Sequence, residues 1–112
     1  MKQELEFFAV HDHAWEPGSV AGTEEKLLSR DPEDPEILTR LVRWQPGLDT
    51  SSAGVITHDW VEEVYLIDGE LFDITLGCSF TVGHYASRRP QMPHGPYRSE
   101  NGCTMLEIRY RP

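Results

Sequence analysis

The chain has 112 residues, one domain's worth, and its 38% apolar and 26% charged content is that of an ordinary globular protein rather than a disordered one. A net charge of −9 argues against a nucleic-acid partner, because neutralising phosphates takes a basic face. No window approaches the ~18 apolar residues of a membrane span, and the opening MKQELEFFAV is too acidic for a secretion signal, so no membrane contact and a cytoplasmic location are expected.

In chain order, short β-rich runs alternate with Pro and Gly punctuation. Residues 5–10, 37–44, 53–57, 61–67, 71–76, 79–82 and 104–110 read as strands. A weak helical turn is expected around residues 24–29, and the proline-interrupted, charged stretch 29–36 (SRDPEDPE) reads as a surface loop. Asp68-Gly69, between two apolar runs, reads as a hairpin turn. Many short strands at this spacing indicate an all-β sandwich or barrel. There is no internal repeat, so residues 1–112 form a single domain, with 1–36 as N-terminal strand and loops and 37–112 as the barrel.

Charge is unevenly divided. Residues 1–36 carry ten acids against three basic groups, whereas residues 37–112 carry nine acids, seven arginines and no lysine. Guanidinium groups suit bidentate contact with carboxylates, either on neighbouring strands or on an anionic ligand. Arg40 shares strand parity with Leu38 and Val42, which points it inward, while Ile37 and Leu41 argue for the opposite face. Cys78 and Cys103 lie far apart and outside any CxxC pair; two small buried thiols are expected, with a single disulfide as the alternative.

Two of the five histidines stand in telling company. His58 ends one apolar run and is followed by Asp59, Trp60, Val61, Glu62 and Glu63, then a second run reaching Gly69. His94 lies in the proline-rich segment RRPQMPHGP. Glu62 and Glu63 point to opposite faces of a strand, so only one can reach a barrel interior. The HxH pair His11 and His13 would share a face of an N-terminal strand and is a candidate for a further ligand. His84, directly after Gly83, reads as a surface residue.

These segments resemble the cupin superfamily, whose motifs are G-x5-H-x-H-x3,4-E-x6-G and G-x5-P-x-G-x2-H-x3-N. Anchored on Gly69, the first motif places Glu62 and His58. Anchored on Gly83, the second places His94. The wording EEVYLIDGEL and HGPYRSENGCTMLEIRY looks most like the ChrR-like metal-binding cupins. Ile56 stands where the first motif histidine would be, Arg89 and Gln91 replace the proline and glycine of the second motif, and Arg98 replaces its asparagine.

The resemblance implies a cupin barrel (double-stranded β-helix, or jelly roll) that pairs as a homodimer. It implies one divalent transition metal, among iron, zinc, manganese, nickel and cobalt, held by His58, Glu62 and His94. Two imidazoles and one carboxylate leave positions open for a substrate, as in facial-triad iron sites and catalytic zinc sites. The activity implied is of dioxygenase, isomerase or lyase type on a small anionic or enolisable molecule. Arg40, Trp60, Arg88 and Tyr97 are the candidates for substrate binding. The alternatives are a non-catalytic metal- or ligand-binding module, possibly regulatory, and a barrel that has lost its metal. On the strand 61–67, the partly apolar outward set Glu63, Tyr65 and Ile67 fits a subunit contact or ordinary sandwich packing.

Overall fold

A computed structural model describes residues 1–112. Nine strands are present: β1 (Glu16–Pro17), β2 (Thr23–Asp31), β3 (Asp34–Trp44), β4 (Leu48–Asp49), β5 (Val61–Asp73), β6 (Cys78–Thr81), β7 (Tyr85–Arg88), β8 (Tyr97–Ser99) and β9 (Cys103–Tyr110). Helical structure is confined to two short 3-10 turns, Val10–Asp12 and Ser51–Ala53. No helix is long and apolar enough to cross a membrane. The all-β barrel expected from the sequence is the fold observed.

The strands are antiparallel and curl into a barrel because β5 serves two arrays. Its first part, Val61 to Gly69, pairs with β9 on one edge and β7 on the other, continuing through β3 to β2 and β1. Its last residues, from Glu70 to Asp73, pair with β6 and β8, and β8 carries β4. The crossing point is a bulge between Leu66 and Asp68. Gly69 follows it at φ +79°, where an added Cβ would run into the Gly102 carbonyl and lie 2.7 Å from Cys103 Cα. Asp68-Gly69 is therefore not a hairpin turn. The chain runs straight through it as one strand, and the inserted residue re-phases the side chains. Glu62, Val64 and Leu66 face inward before the bulge, and Leu71 and Asp73 face inward after it.

Other expectations are corrected as well. Residues 24–29 and 29–36 form no helix and no loop; they belong to a β2–β3 hairpin whose turn is only Pro32-Glu33. Asp31 Oδ1 accepts the Glu33 N–H at 2.9 Å, closing an Asx turn that lets the prolines sit at the tip. Residues 5–10 form no strand. The N-terminal segment is tied across the β2 edge by the Gln3 N–H to the Arg30 carbonyl and by the Met1 ammonium to Asp31, too few backbone bonds for a ladder. Residues 53–57 likewise form no strand: Ser51–Ala53 turns in a 3-10 helix, and Ile56 alone makes a bridge, to His94. Cys78 is exposed, contrary to expectation; Cys103 is buried, and both are free thiols.

The interior divides into two ends. One end is apolar, built from Val42, Leu66, Leu71, Cys103 and Met105, with Trp44, Val64, Phe80 and Tyr97 packed against it. The other end is charged: Arg40, Glu62, Arg88 and Glu107 are all buried. Such groups persist inside a protein only when paired. Arg40 Nε donates to Glu107 Oε2 at 2.5 Å, Arg109 Nε donates to Glu107 Oε1 at 3.1 Å, and Arg88 Nη1 donates to Glu62 Oε2 at 3.3 Å. This network places carboxylate oxygens at the charged end of the barrel.

Candidate metal centre and cavity

The three side chains singled out by motif spacing meet. Ligand atoms of His58, Glu62 and His94 all lie within 4.8 Å of one another. Glu62 arrives from β5, on an inward position just after the strand begins. His58 precedes that strand, and its carbonyl accepts the Gln91 N–H at 2.7 Å. That bond ties it to the proline-rich loop that carries His94. The loop is fastened again where Ile56 and His94 exchange backbone hydrogen bonds, at 2.9 and 3.0 Å. Ile56, at the place of the missing motif histidine, thus contributes its backbone, and its side chain is 44% exposed.

Both imidazoles are oriented for ligation. Nδ1 of His58 bonds the Trp60 carbonyl at 3.1 Å and Nδ1 of His94 bonds the Met92 carbonyl at 3.0 Å. Only a protonated nitrogen can donate to a carbonyl, so in each neutral ring the lone pair is left on Nε2. Those Nε2 atoms lie 2.7 Å and 3.5 Å from Glu62 Oε2. Backbone-anchored imidazoles converging on a carboxylate are the arrangement that fixes metal-ligating histidines. Trp60 stacks on His58 with ring centroids 4.5 Å apart and planes within 2°, and the Arg109 guanidinium lies over Trp60 at 4.6 Å.

Electrostatics follow from burial. Desolvation lowers the pKa of His58 and of His94, which keeps both rings neutral. Burial, followed by the hydrogen bond and charge of Glu107, pushes Glu62 up to about 8. Burial also works against the Glu107 charge, but the hydrogen bond from Glu62 and the guanidinium groups of Arg40 and Arg109 outweigh it and bring Glu107 down to about 2. The 2.7 Å contact between His58 Nε2 and Glu62 Oε2 holds one proton, carried by the carboxyl when the ring is neutral with its N–H on the Trp60 carbonyl.

Beside the cluster lies a cavity of about 560 Å³, within the usual size of small-molecule sites. His94 belongs to both cluster and cavity wall. Of the four expected substrate-binding residues, Arg88 and Tyr97 line the cavity; Arg40 and Trp60 do not. Arg40 is held by Glu107 and lies 3.6 Å from Glu25, which resolves its parity as inward but commits its charge to the protein. Trp60 supports His58 instead. His11 and His13 are not brought to the cluster. His11 sits in the exposed 3-10 turn beside Asp12, and His13 packs against Phe8. Glu63 points outward and accepts from the Tyr85 hydroxyl. His84 is exposed at the cavity rim. Motif reasoning did not reach Glu107; its inward parity with Cys103 and Met105 on β9 is the signal that finds it.

A curled antiparallel barrel with a two-histidine, one-glutamate cluster on its inner wall defines a cupin. The chain belongs to the ChrR cupin-like domain family, whose model matches residues 3–109. Solved structures agree on the fold. An RmlC-like cupin from Shewanella frigidimarina aligns at TM-score 0.73 and 18% identity, over 97% of this chain and 93% of that one. An acetylacetone dioxygenase from Acinetobacter johnsonii aligns at 0.72 and 17%, over 94% and 73%. The polyketide cyclase RemF from Streptomyces resistomycificus aligns at 0.70 and 18%, over 97% and 82%. No curated protein sequence matches the chain.

Proposed function

We propose that this protein is a metal-dependent cupin enzyme acting on a small enolisable organic molecule. The observation that carries the reading is the pair of backbone-locked imidazoles, whose free Nε2 atoms converge with Glu62 at the edge of a ligand-sized cavity. His58, Glu62 and His94 would hold one divalent transition metal, and their donor types suit iron, zinc, manganese, nickel or cobalt. When bound, that metal supplies Lewis-acid polarisation of a carbonyl or enolate oxygen. The chain's own groups do the rest. Arg88, on the cavity wall, holds Glu62 and, through Nη2 at 2.8 Å, the Tyr97 hydroxyl, so both are fixed in place beside the cavity. Glu62, ionised, is the position to which a substrate proton can pass. The neighbours named as a dioxygenase and a cyclase support an enzymatic use of this barrel.

The test is hydrogen–deuterium exchange at the carbon next to the carbonyl of simple ketones, followed by proton NMR with metal-loaded protein. Exchange lost in His94→Ala is the expected result; no exchange with any of the five metals would overturn the enzymatic reading. Ile56, in place of one motif ligand, favours the second reading, a non-catalytic metal- or ligand-binding module of regulatory use. A homodimer is also proposed: Tyr65, Ile67 and Tyr85 form an exposed apolar group on the outer face of β5 and β7. The cytoplasm is the proposed compartment.

A further inference from the structure

One buried carboxylate faces the cavity with an oxygen that the protein does not use. The inner face of β5 carries Glu62, Val64 and Leu66 before the bulge and Leu71 and Asp73 after it. Val64, Leu66, Leu71 and Asp73 all line the cavity, so an apolar stretch separates two polar ends. At the Glu62 end the wall holds His94 and Arg88, its only arginine or lysine. At the other end stands Asp73, 6% exposed and the only acid on the wall. Its Oδ1 accepts the Leu76 N–H at 2.9 Å, within the turn that leaves β5. Its Oδ2 takes no hydrogen bond from the protein. The neighbouring hydroxyl of Thr75 is committed elsewhere, donating to the Gly95 carbonyl at 2.7 Å. A carboxylate enclosed this deeply needs donors on both oxygens, and Oδ2 is left to whatever fills the cavity.

Resting on the metal-site reading above for its oxygen end, we infer that the ligand is bifunctional. A carbonyl or anionic oxygen meets the His94–Arg88 end, a hydrocarbon middle lies along Val64, Leu66 and Leu71, and a hydroxyl or ammonium group donates to Asp73 Oδ2. Asp73 is then a specificity residue: it selects ligands that carry a donor over isosteres that lack one. The turn itself uses only Oδ1, which an asparagine supplies equally well. The second oxygen and its charge are what a ligand reads.

Three small probes of similar size test this: benzylamine, an ammonium at neutral pH, and the isomers benzyl alcohol and anisole, which differ in whether the oxygen carries a proton. Binding is followed by amide NMR titration of the full chain, with chelator present and again after zinc loading. Benzylamine should bind about tenfold more tightly than anisole, as a hydrogen bond to a charged group implies, and should shift the resonance of the Leu76 amide that Asp73 holds. Benzyl alcohol binding above anisole would make a hydroxyl sufficient; a preference for benzylamine alone would identify the donor as an ammonium. Asp73→Asn, which keeps the turn bond, should abolish the preference. Anisole binding as tightly as both donors, no binding of any probe, or a preference unchanged in folded Asp73→Asn would overturn the inference. The wild-type ranking and the Leu76 shift decide the matter even if the variant does not fold. Zinc content of the same samples tests the metal reading separately: a donor preference without zinc uptake would sink the metal site and leave the role of Asp73 standing.

Discussion

Replacing Glu62 by glutamine removes one ionisation and keeps the shape of the site. In the metal-free protein the glutamine amide can donate to His58 Nε2 at 2.7 Å, at the expense of the longer 3.3 Å contact that Arg88 makes to the same carboxylate oxygen, Oε2. The folded carboxyl sits at about 8 against an ordinary 4.5, so its folded-state value is raised. A raised group contributes stability that is fully present below about 4.5 and is lost as pH climbs towards about 8. Glu107, held at about 2, is ionised in the folded state throughout and is common to wild type and variant; from about pH 6 upward it is ionised in the unfolded chain too and contributes no slope. At pH 7 the native state is holding a proton that the unfolded chain has released. At about 1.4 kcal/mol per pH unit that costs about 3 kcal/mol, an upper bound. Glu62→Gln should therefore be more stable than wild type once metal is stripped, by up to about 3 kcal/mol at pH 7, or about 10 °C in Tm. The advantage should shrink steadily towards pH 5. Urea unfolding with chelator present, at pH 5, 6, 7 and 8, measures it. A difference that does not change with pH, or a glutamine variant less stable at every pH, would refute the reasoning.

Metal uptake should be linked to the same proton: affinity should rise about tenfold per pH unit up to about pH 8 and then level, with about one proton released per metal in titrations run in buffers of different ionisation enthalpy. Release of no proton would show that Glu62 is already ionised. Gly69→Ala should cost about 3 kcal/mol or more, because it combines a left-handed backbone with a clash against Gly102 and Cys103. Gly47→Ala, at φ +85° with open space around it, should cost only about 1 kcal/mol; thermal unfolding of both compares them. Tyr65→Glu with Tyr85→Glu should convert a dimer to a monomer in light scattering after size exclusion, with the barrel's circular dichroism unchanged.

The barrel and the cluster were legible because both depend on local rules. Alternating apolar runs mark strands, and two glycines that need positive φ, Gly69 and Gly83, set the spacing that aligns His58, Glu62 and His94. What stayed hidden depends on pairing across the chain. β2 reads TEEKLLSRD, with acids side by side and no alternation, because its ladder and its partner β3 hold it as a strand. Asp68-Gly69 carries turn chemistry, but β9 runs alongside it and converts the turn into a bulge. The arginines offered two uses, and only the fold shows that Arg40 serves Glu107 while Arg88 serves Glu62 and Tyr97. A buried arginine's partner on a distant strand leaves no trace in local sequence.

The most direct test of the metal centre is elemental mass spectrometry on protein purified without a nickel column, for wild type and His94→Ala. About one transition metal per chain, absent from the variant, is the result expected of a His58–Glu62–His94 site. A wild type that stays metal-free after reconstitution with iron or zinc, or a variant that keeps its full metal content, would contradict it.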